Sequence, residues 1–433
     1  MDNYKNKGDE LEYNKLFDSV IDINSLRKNE GKSYDFNLDK ELKQSKIIIK
    51  NNEKEFLSKR KWDYSNDYKI NDIENKIQSI YEKMNKDQLE ILKSNINKFD
   101  LQVIYNSPDE IFRIGTLSSI DYLIETTYYS QPEKAKEMFS DKEKLKNYIY
   151  KFRRILGDGD CFYRSLIFSF LENIVLTNNI MLMKEVLILF DEKININNPL
   201  ISQKIYLEHI KENKIRIDVV SQGLYTLLQN MEYESIESTY QILLKLFLDC
   251  SAFDYGIIYF TRYLLFEYIL LNENKIYSKD NQIKVGCLLP EDFIINKGEE
   301  NEYYFEDFFN SELMKPKSFA EKIVIYISPF VFNCILNILI YDSENNYIEE
   351  KTISVNNPEF QINLLYRKTH YDIYYEKQFY EKYFDKLNIL MNYLENILYL
   401  NSQTPEEFLI ENNNNINIEK KEEIQNKENN IIK

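Results

Sequence analysis

Glycine and histidine are scarce in this chain: nine glycines and two histidines occur among 433 residues. Turns that need a positive φ are therefore few, and closely spaced glycines carry information. His209 and His370 are the sole imidazoles, and Cys161, Cys250, Cys287 and Cys334 lie far apart without a CxxC pair. A zinc site is not expected from such a set, nor is a disulfide framework in so large a chain. No metal and no cofactor is expected. Positive charge is also short, with 55 Lys and Arg against 71 Asp and Glu, a net charge of −16. Nucleic acid would be repelled, and no basic patch offsets this. The acidity serves solubility first and suits a basic partner second.

Targeting and membrane signals are missing too. The opening MDNYKNKGDELEYNK has no apolar stretch of the signal-peptide kind, so a reducing compartment, cytoplasmic or nuclear, is expected. Residues 323–341 are uncharged, but Ser328, Pro329, Asn333 and Asn337 interrupt them. A buried helix followed by a core strand is expected there, not a span, and no membrane partner.

Apolar and aromatic bulk is what the chain has in quantity. Hydrophobic residues make up 43%, and 35 Tyr with 26 Phe carry much of that, enough for a substantial core. Residues 1–55, rich in Asn, Lys, Asp and Glu, are expected to form a disordered arm. Residues 56–144 read as a helical extension. Ile73, Ile77, Ile80, Tyr81, Met84, Leu89, Ile91 and Leu92 make a stripe at helical steps, while Ser107 with Glu110 and Ser118 with Asp121 have the spacing of helix caps. The main domain spans 145–378. Within it, 161–194 reads as one or two helices, and it and 236–272 are apolar on most sides and so central. A helix near 321–334 leads to strands at 335–342, 352–355, 362–367 and 370–376, the last two forming a hairpin or a bulged strand. A C-terminal helix over 379–400 and a disordered Asn-rich tail over 401–433 follow. The class is α+β: helix-rich, with a small late-chain sheet.

Two of the nine glycines bracket an aspartate in Gly157-Asp158-Gly159-Asp160-Cys161, and an apolar helix pattern begins at the cysteine. A tight turn that delivers a thiol to a helix N-terminus makes that thiol reactive. The helix dipole favours the thiolate by about 1 kcal/mol, and glycines can aim backbone N–H groups at an oxyanion. Cys161 is the expected nucleophile. Its base must be His209 or His370. His370 opens a strand with Asp372 two residues on, and i and i+2 share a strand face. Asp372 can thus orient the ring, which makes a Cys-His-Asp set. His209 sits in the charged stretch LEHIKENK with no such partner and reads as a surface histidine. Asp158 reads either as a turn former or as a hydrogen-bonding member of an oxyanion loop. Cys250, Cys287 and Cys334 read as small buried apolar residues.

These residues resemble a known family. Asp158-Gly159-Asp160-Cys161-Phe162-Tyr163-Arg164 is similar to the DGNCFYR signature of the otubains, a branch of the ovarian-tumour (OTU) deubiquitinases. Leu364-Leu365-Tyr366-Arg367 with His370-Tyr371-Asp372-Ile373 resembles their LLYRxxHYDIxY signature. The resemblance implies a papain-like cysteine-protease fold and hydrolysis of the isopeptide bond after the ubiquitin C-terminal glycine. It implies Cys161 as nucleophile, His370 as general base and acid, Asp372 as orienter and Asp158 as part of the oxyanion loop. Partners would be ubiquitin or polyubiquitin chains, with a preference for the proteasome-targeting linkage in some otubains. A non-catalytic binder of ubiquitin or of a ubiquitin-conjugating enzyme is the rival expectation, and a protease for another ubiquitin-like modifier a third. Two positions depart from the signature: Asp160 replaces Asn and Ser165 replaces Ala. A carboxylate beside the nucleophile opposes thiolate formation if it points inward, so Asp160 is expected to face solvent or a donor.

Overall fold

The computed structural model describes residues 70–98, 112–120, 145–194, 201–272, 276–278, 283–297, 300–342, 347–367, 369–384 and 387. The expected arm at 1–55, the tail at 401–433, the cap at Ser107 and most of the helix at 379–400 lie outside these residues. Two amphipathic helices come first, α1 (Ile70–Lys83) and α2 (Lys86–Lys98). Ile73, Ile77, Ile80, Leu89, Leu92 and Ile96 join the main core, whereas Ile91 points outward at 59% exposure.

Two unforeseen strands follow, β1 (Ile114–Ser118) and β2 (Lys151–Ile155). Ser118 thus closes a strand instead of capping a helix. Neither strand shows the half-buried alternation that marks a strand in sequence. β1 is buried at four of its five positions. β2 hides Arg153, whose guanidinium donates to the Gly115 carbonyl and to the hydroxyls of Tyr240 and Tyr375.

The helical half comprises α3 (Cys161–Leu176), α4 (Ile180–Ile194), α5 (Ile201–Glu212), α6 (Ile217–Tyr233), α7 (Ile236–Leu248) and α8 (Ser251–Leu271). The stretch from 161 to 194 is therefore two helices, and Asn178, at φ 49°, makes the left-handed turn between them. Every residue of α3 is buried, as expected for a helix apolar on nearly all sides. Two small hairpins, β3 (Ile276–Ser278) with β4 (Ile283–Lys284) and β5 (Ile294–Lys297) with β6 (Glu300–Tyr303), precede the short α9 (Phe305–Phe308).

α10 (Lys322–Phe332) ends at Asn333 in the left-handed region, φ 48°, and the chain turns directly into β7 (Cys334–Asp342). The uncharged run at 323–341 is thus a buried helix and a core strand. Among the described residues no helix is long and apolar enough to cross a membrane. β8 (Tyr347–Ile353), β9 (Phe360–Arg367), β10 (His370–Tyr375) and α11 (Lys377–Tyr383) complete the fold. β8 begins and ends earlier than expected, because its register is set along all of β7 from Leu336–Ile353 to Asp342–Tyr347.

The six strands lie in the order β1-β2-β10-β9-β7-β8. All neighbours are antiparallel except β7 and β9. α3 packs across β9 and β10, with the Phe162 ring edge-on to Tyr371 at 5.1 Å. α4, α7 and α8 enclose α3 from behind. Cys334 is buried and Cys250 half-buried, but Cys287 is exposed, contrary to expectation. Its apolar neighbours sit in a one-turn 3-10 helix, Val285–Leu288, which turns the thiol outward to 3.2 Å from the Tyr303 hydroxyl.

Candidate active site

The nucleophile turn is shaped by one glycine that needs its conformation. Gly159 has φ +91°, and a Cβ there would collide with the Lys317 carbonyl. Gly159→Ala must therefore displace the 317 backbone or strain the turn, at a cost of about 1–3 kcal/mol for the backbone alone. A lower melting temperature and slower reaction of Cys161 with a thiol reagent are expected. A variant with both properties unchanged would show that the turn is freer than its packing implies. Cys161 opens α3 and is only 2% exposed. No acidic residue lies in the first turn of that helix, and the adjacent carboxylate is that of Asp160 at its N-cap.

His370 reaches this turn from β10. Its ring lies against the Gly157 backbone: a Cβ there would stand 3.3 Å from Nδ1. The Cys161 thiol is close enough to the ring to favour its charged form. Nε2 faces the other way, 2.9 Å from Asp372 Oδ1. The i, i+2 strand geometry thus brings imidazole and carboxylate together as expected. Burial disfavours the charged ring, but Asp372 and Cys161 outweigh it and raise the His370 pKa to about 9. Asp372 is fully buried, which alone would raise its pKa. Arg367 and His370 overcome this and hold the carboxyl well below its usual range. The Ile155 N–H also donates to Oδ1 at 2.9 Å, so strand β2 helps aim the orienting group.

The last arginine of β9 has a role the sequence did not assign: Arg367 Nη2 donates to Asp372 Oδ2. Arg164 was a second silent residue of the motif. It grips Asp158 through Nη1 and Nη2 at 2.8 and 2.9 Å, and Asp254 of α8 through Nε and Nη2 at 2.9 and 3.0 Å. Asp158 Oδ1 also accepts from the Asp160 N–H at 3.1 Å. Its carboxylate is thus occupied inside the turn. Burial alone would raise its pKa, but Arg164 holds it below its usual range. A usable signal was present in the sequence: charged residues inside an otherwise apolar helix, such as Arg164, Asp254 and Arg262, are buried only when paired. His209 takes no part. It lies on α5, with Nε2 2.8 Å from Asn310 Oδ1. Among the described residues no cluster of His, Cys, Asp and Glu could hold a metal.

The model of the peptidase C65 otubain family matches residues 115–376, which is more than half of the chain and runs from β1 to the end of β10. The chain belongs to the otubain family.

No curated protein matches this otubain. Among solved structures it is similar to a ceOTUB1 complex with ubiquitin aldehyde and UBC13~Ub. The identity is 19% and the TM-score 0.37, over 64% of this chain and 99% of that one. It is also similar to an h/ceOTUB1 complex with ubiquitin aldehyde and UBCH5B~Ub, with 19% identity and a TM-score of 0.38, over 66% and 98% of the two chains. The Asp160 departure from the otubain signature is met by a donor, as expected. Asp160 is 2% exposed, and its Oδ1 accepts from Arg262 Nη2 and from the Lys317 N–H.

Proposed function

We propose that this otubain is a cysteine-type deubiquitinase that hydrolyses the bond between the ubiquitin C-terminal glycine and a lysine amine. The observation that supports the reading is one histidine whose Nε2 meets the buried Asp372 while its Nδ1 lies against Gly157 of the turn that leads to Cys161. At neutral pH such a ring keeps its proton, and an imidazolium beside a cysteine favours attack by the sulfur as a thiolate. The thiolate attacks the glycine carbonyl. Backbone N–H groups of the turn and the start of α3 face the oxyanion. His370 then gives its proton to the leaving lysine amine, and a thioester to Cys161 remains. Water, deprotonated by the now neutral His370, attacks the thioester. The collapse of that intermediate frees the carboxylate and returns the proton to the Cys161–His370 pair. Asp372 holds the ring orientation throughout, and Arg164 holds the turn.

The acidic balance, −16, suits a substrate with a basic face, and ubiquitin's hydrophobic patch is flanked by basic residues. Ubiquitin chains and a ubiquitin-conjugating enzyme are the proposed partners, in the cytosol or nucleus. A preference for proteasome-targeting chains is the finer proposal, to be read from cleavage rates across the diubiquitin linkages. The central test is ubiquitin-propargylamide. The wild-type protein is expected to gain one ubiquitin covalently, and Cys161→Ala none. Folded wild type that binds ubiquitin yet stays unlabelled would make the protein a binder instead. Labelling by another modifier's probe alone would change the substrate.

A further inference from the structure

Asp160 places a buried carboxylate one residue from the nucleophile, and the structure surrounds it unusually. Arg262 comes from α8 with no exposed surface. Its Nη2 donates to Asp160 Oδ1 and, at 3.2 Å, to the Ser318 carbonyl. Its Nη1 donates to the Leu313 carbonyl and, at 3.1 Å, to Ser318 Oγ. The guanidinium carbon lies 3.7 Å from the centre of the Tyr163 ring. The Lys317 N–H adds a second donor to Asp160 Oδ1 at 3.2 Å. One arginine thus joins three things: the carboxylate beside Cys161, the segment 313–318, and that segment's contact with Gly159.

A buried cation has a large desolvation cost and persists only when paired. Asp160 is its paired anion. The converse also holds: without Arg262 the Asp160 charge would act on the sulfur through a low-dielectric interior and oppose its ionisation. The other titratable groups facing Cys161 are few. His370 approaches from β10 with Asp372 behind it. The phenols of Tyr163 on α3 and Tyr366 on β9 feel the Cys161 charge and are pushed up by burial, Tyr366 to about 12. Glu321 lies beyond, against Tyr163. Among these groups and the Asp160–Arg262 pair, His370 and Arg262 are the cations.

We infer that Arg262 is a positioning residue that cancels the charge of Asp160, so that the Cys161–His370 pair ionises as it would beside a neutral residue. The inference rests on Cys161 being the nucleophile. It is tested by the pH dependence of Cys161 alkylation with iodoacetamide, read on the Cys161 peptide by mass spectrometry because Cys287 is exposed. Arg262→Met is expected to raise the midpoint by about one pH unit. The near-isosteric Asp160→Asn leaves Arg262 uncancelled and is expected to lower it. The double variant should return close to wild type, and Arg262→Lys, which keeps the charge, should stay there. A merely structural arginine would change melting temperatures and leave every midpoint in place. Opposite shifts in the single variants with recovery in the double support the inference. If Arg262→Met does not fold, Asp160→Asn and Arg262→Lys decide: an unmoved Asp160→Asn midpoint, or a raised Arg262→Lys one, overturns it. Wild type that labels with ubiquitin-propargylamide while the midpoints stay fixed would remove this inference and leave the proposed function standing. Folded wild type that fails to label would remove the function itself.

Discussion

Replacement of His370 by alanine is expected to lower kcat/KM on a ubiquitin–fluorophore substrate by about 10²–10⁴-fold, the usual contribution of a positioned acid–base group. On the proposed mechanism the imidazole has two tasks, taking the thiol proton and giving it to the leaving amine, and the chain's other histidine, His209, is held on α5 against Asn310. The more informative variant is Asp372→Asn, which keeps an oxygen beside Nε2 and removes the charge. The wild-type ring has its pKa raised to about 9 by Asp372 and Cys161 against burial. Because the shift is upward, the imidazolium persists up to that pH and is lost as pH rises through it. Wild-type kcat/KM should therefore fall on the alkaline side near pH 9. In Asp372→Asn that limb should move toward the ordinary histidine value of about 6.5. The same sign governs folding: the stabilisation from His370 is complete below about pH 6.5 and disappears between there and pH 9. Asp372 is depressed, so its share is present above about pH 3.9 and is lost as pH falls below it. An alkaline limb that stays in place in Asp372→Asn would mean that the carboxylate does not govern the base.

Arg164→Met is expected to be the most destabilising single change in the turn. Arg164 is fully buried and neutralises two carboxylates at once, Asp254 at 0% and Asp158 at 11% side-chain exposure. Among the described residues, its removal leaves Asp254 with Arg113 as its remaining cation, whose Nε is 3.7 Å away. Loss of one partner of a buried ion pair typically costs about 3–5 kcal/mol, which corresponds to a fall in melting temperature on the order of 10 °C. Arg164→Met combined with Asp254→Leu should recover a substantial part, since the orphaned charge goes with its partner. A single variant that melts within two or three degrees of wild type would mean that the carboxylates take up protons at little cost, contrary to this account.

The parts of the site visible in the sequence were those whose chemistry is local. His370 and Asp372 are two residues apart on one strand, and Cys161 follows its glycines directly. With His209 and His370 the sole imidazoles, the strand face of His370 and Asp372 paired these two segments, and the resemblance to the otubain signatures agreed. What stayed hidden was non-local. Arg164 is part of the motif, but its partner Asp254 is supplied by a helix formed much later in the chain. Asp160 announced a difficulty, and its answer, Arg262, lay in another apolar helix. The fold shows the same division. α3, α8 and α10 are long apolar patterns and were legible. β1 and β2 were not, because one is buried almost throughout and the other carries a buried arginine.

The sheet order has a consequence for the chain as it is made. β10 lies between β2 and β9, so the strand that leads into the nucleophile turn has its neighbour near the far end of the described chain. β1 can pair with β2 as soon as both have left the ribosome. The other edge of β2 waits until residues 373–375 are synthesised, and such late, non-local pairing is slow. Asp372 accepts the Ile155 N–H only at that moment, and His370 arrives with it. On the proposed mechanism, Cys161 therefore lacks its base during most of translation, and hydrolysis is expected only once the sheet has closed.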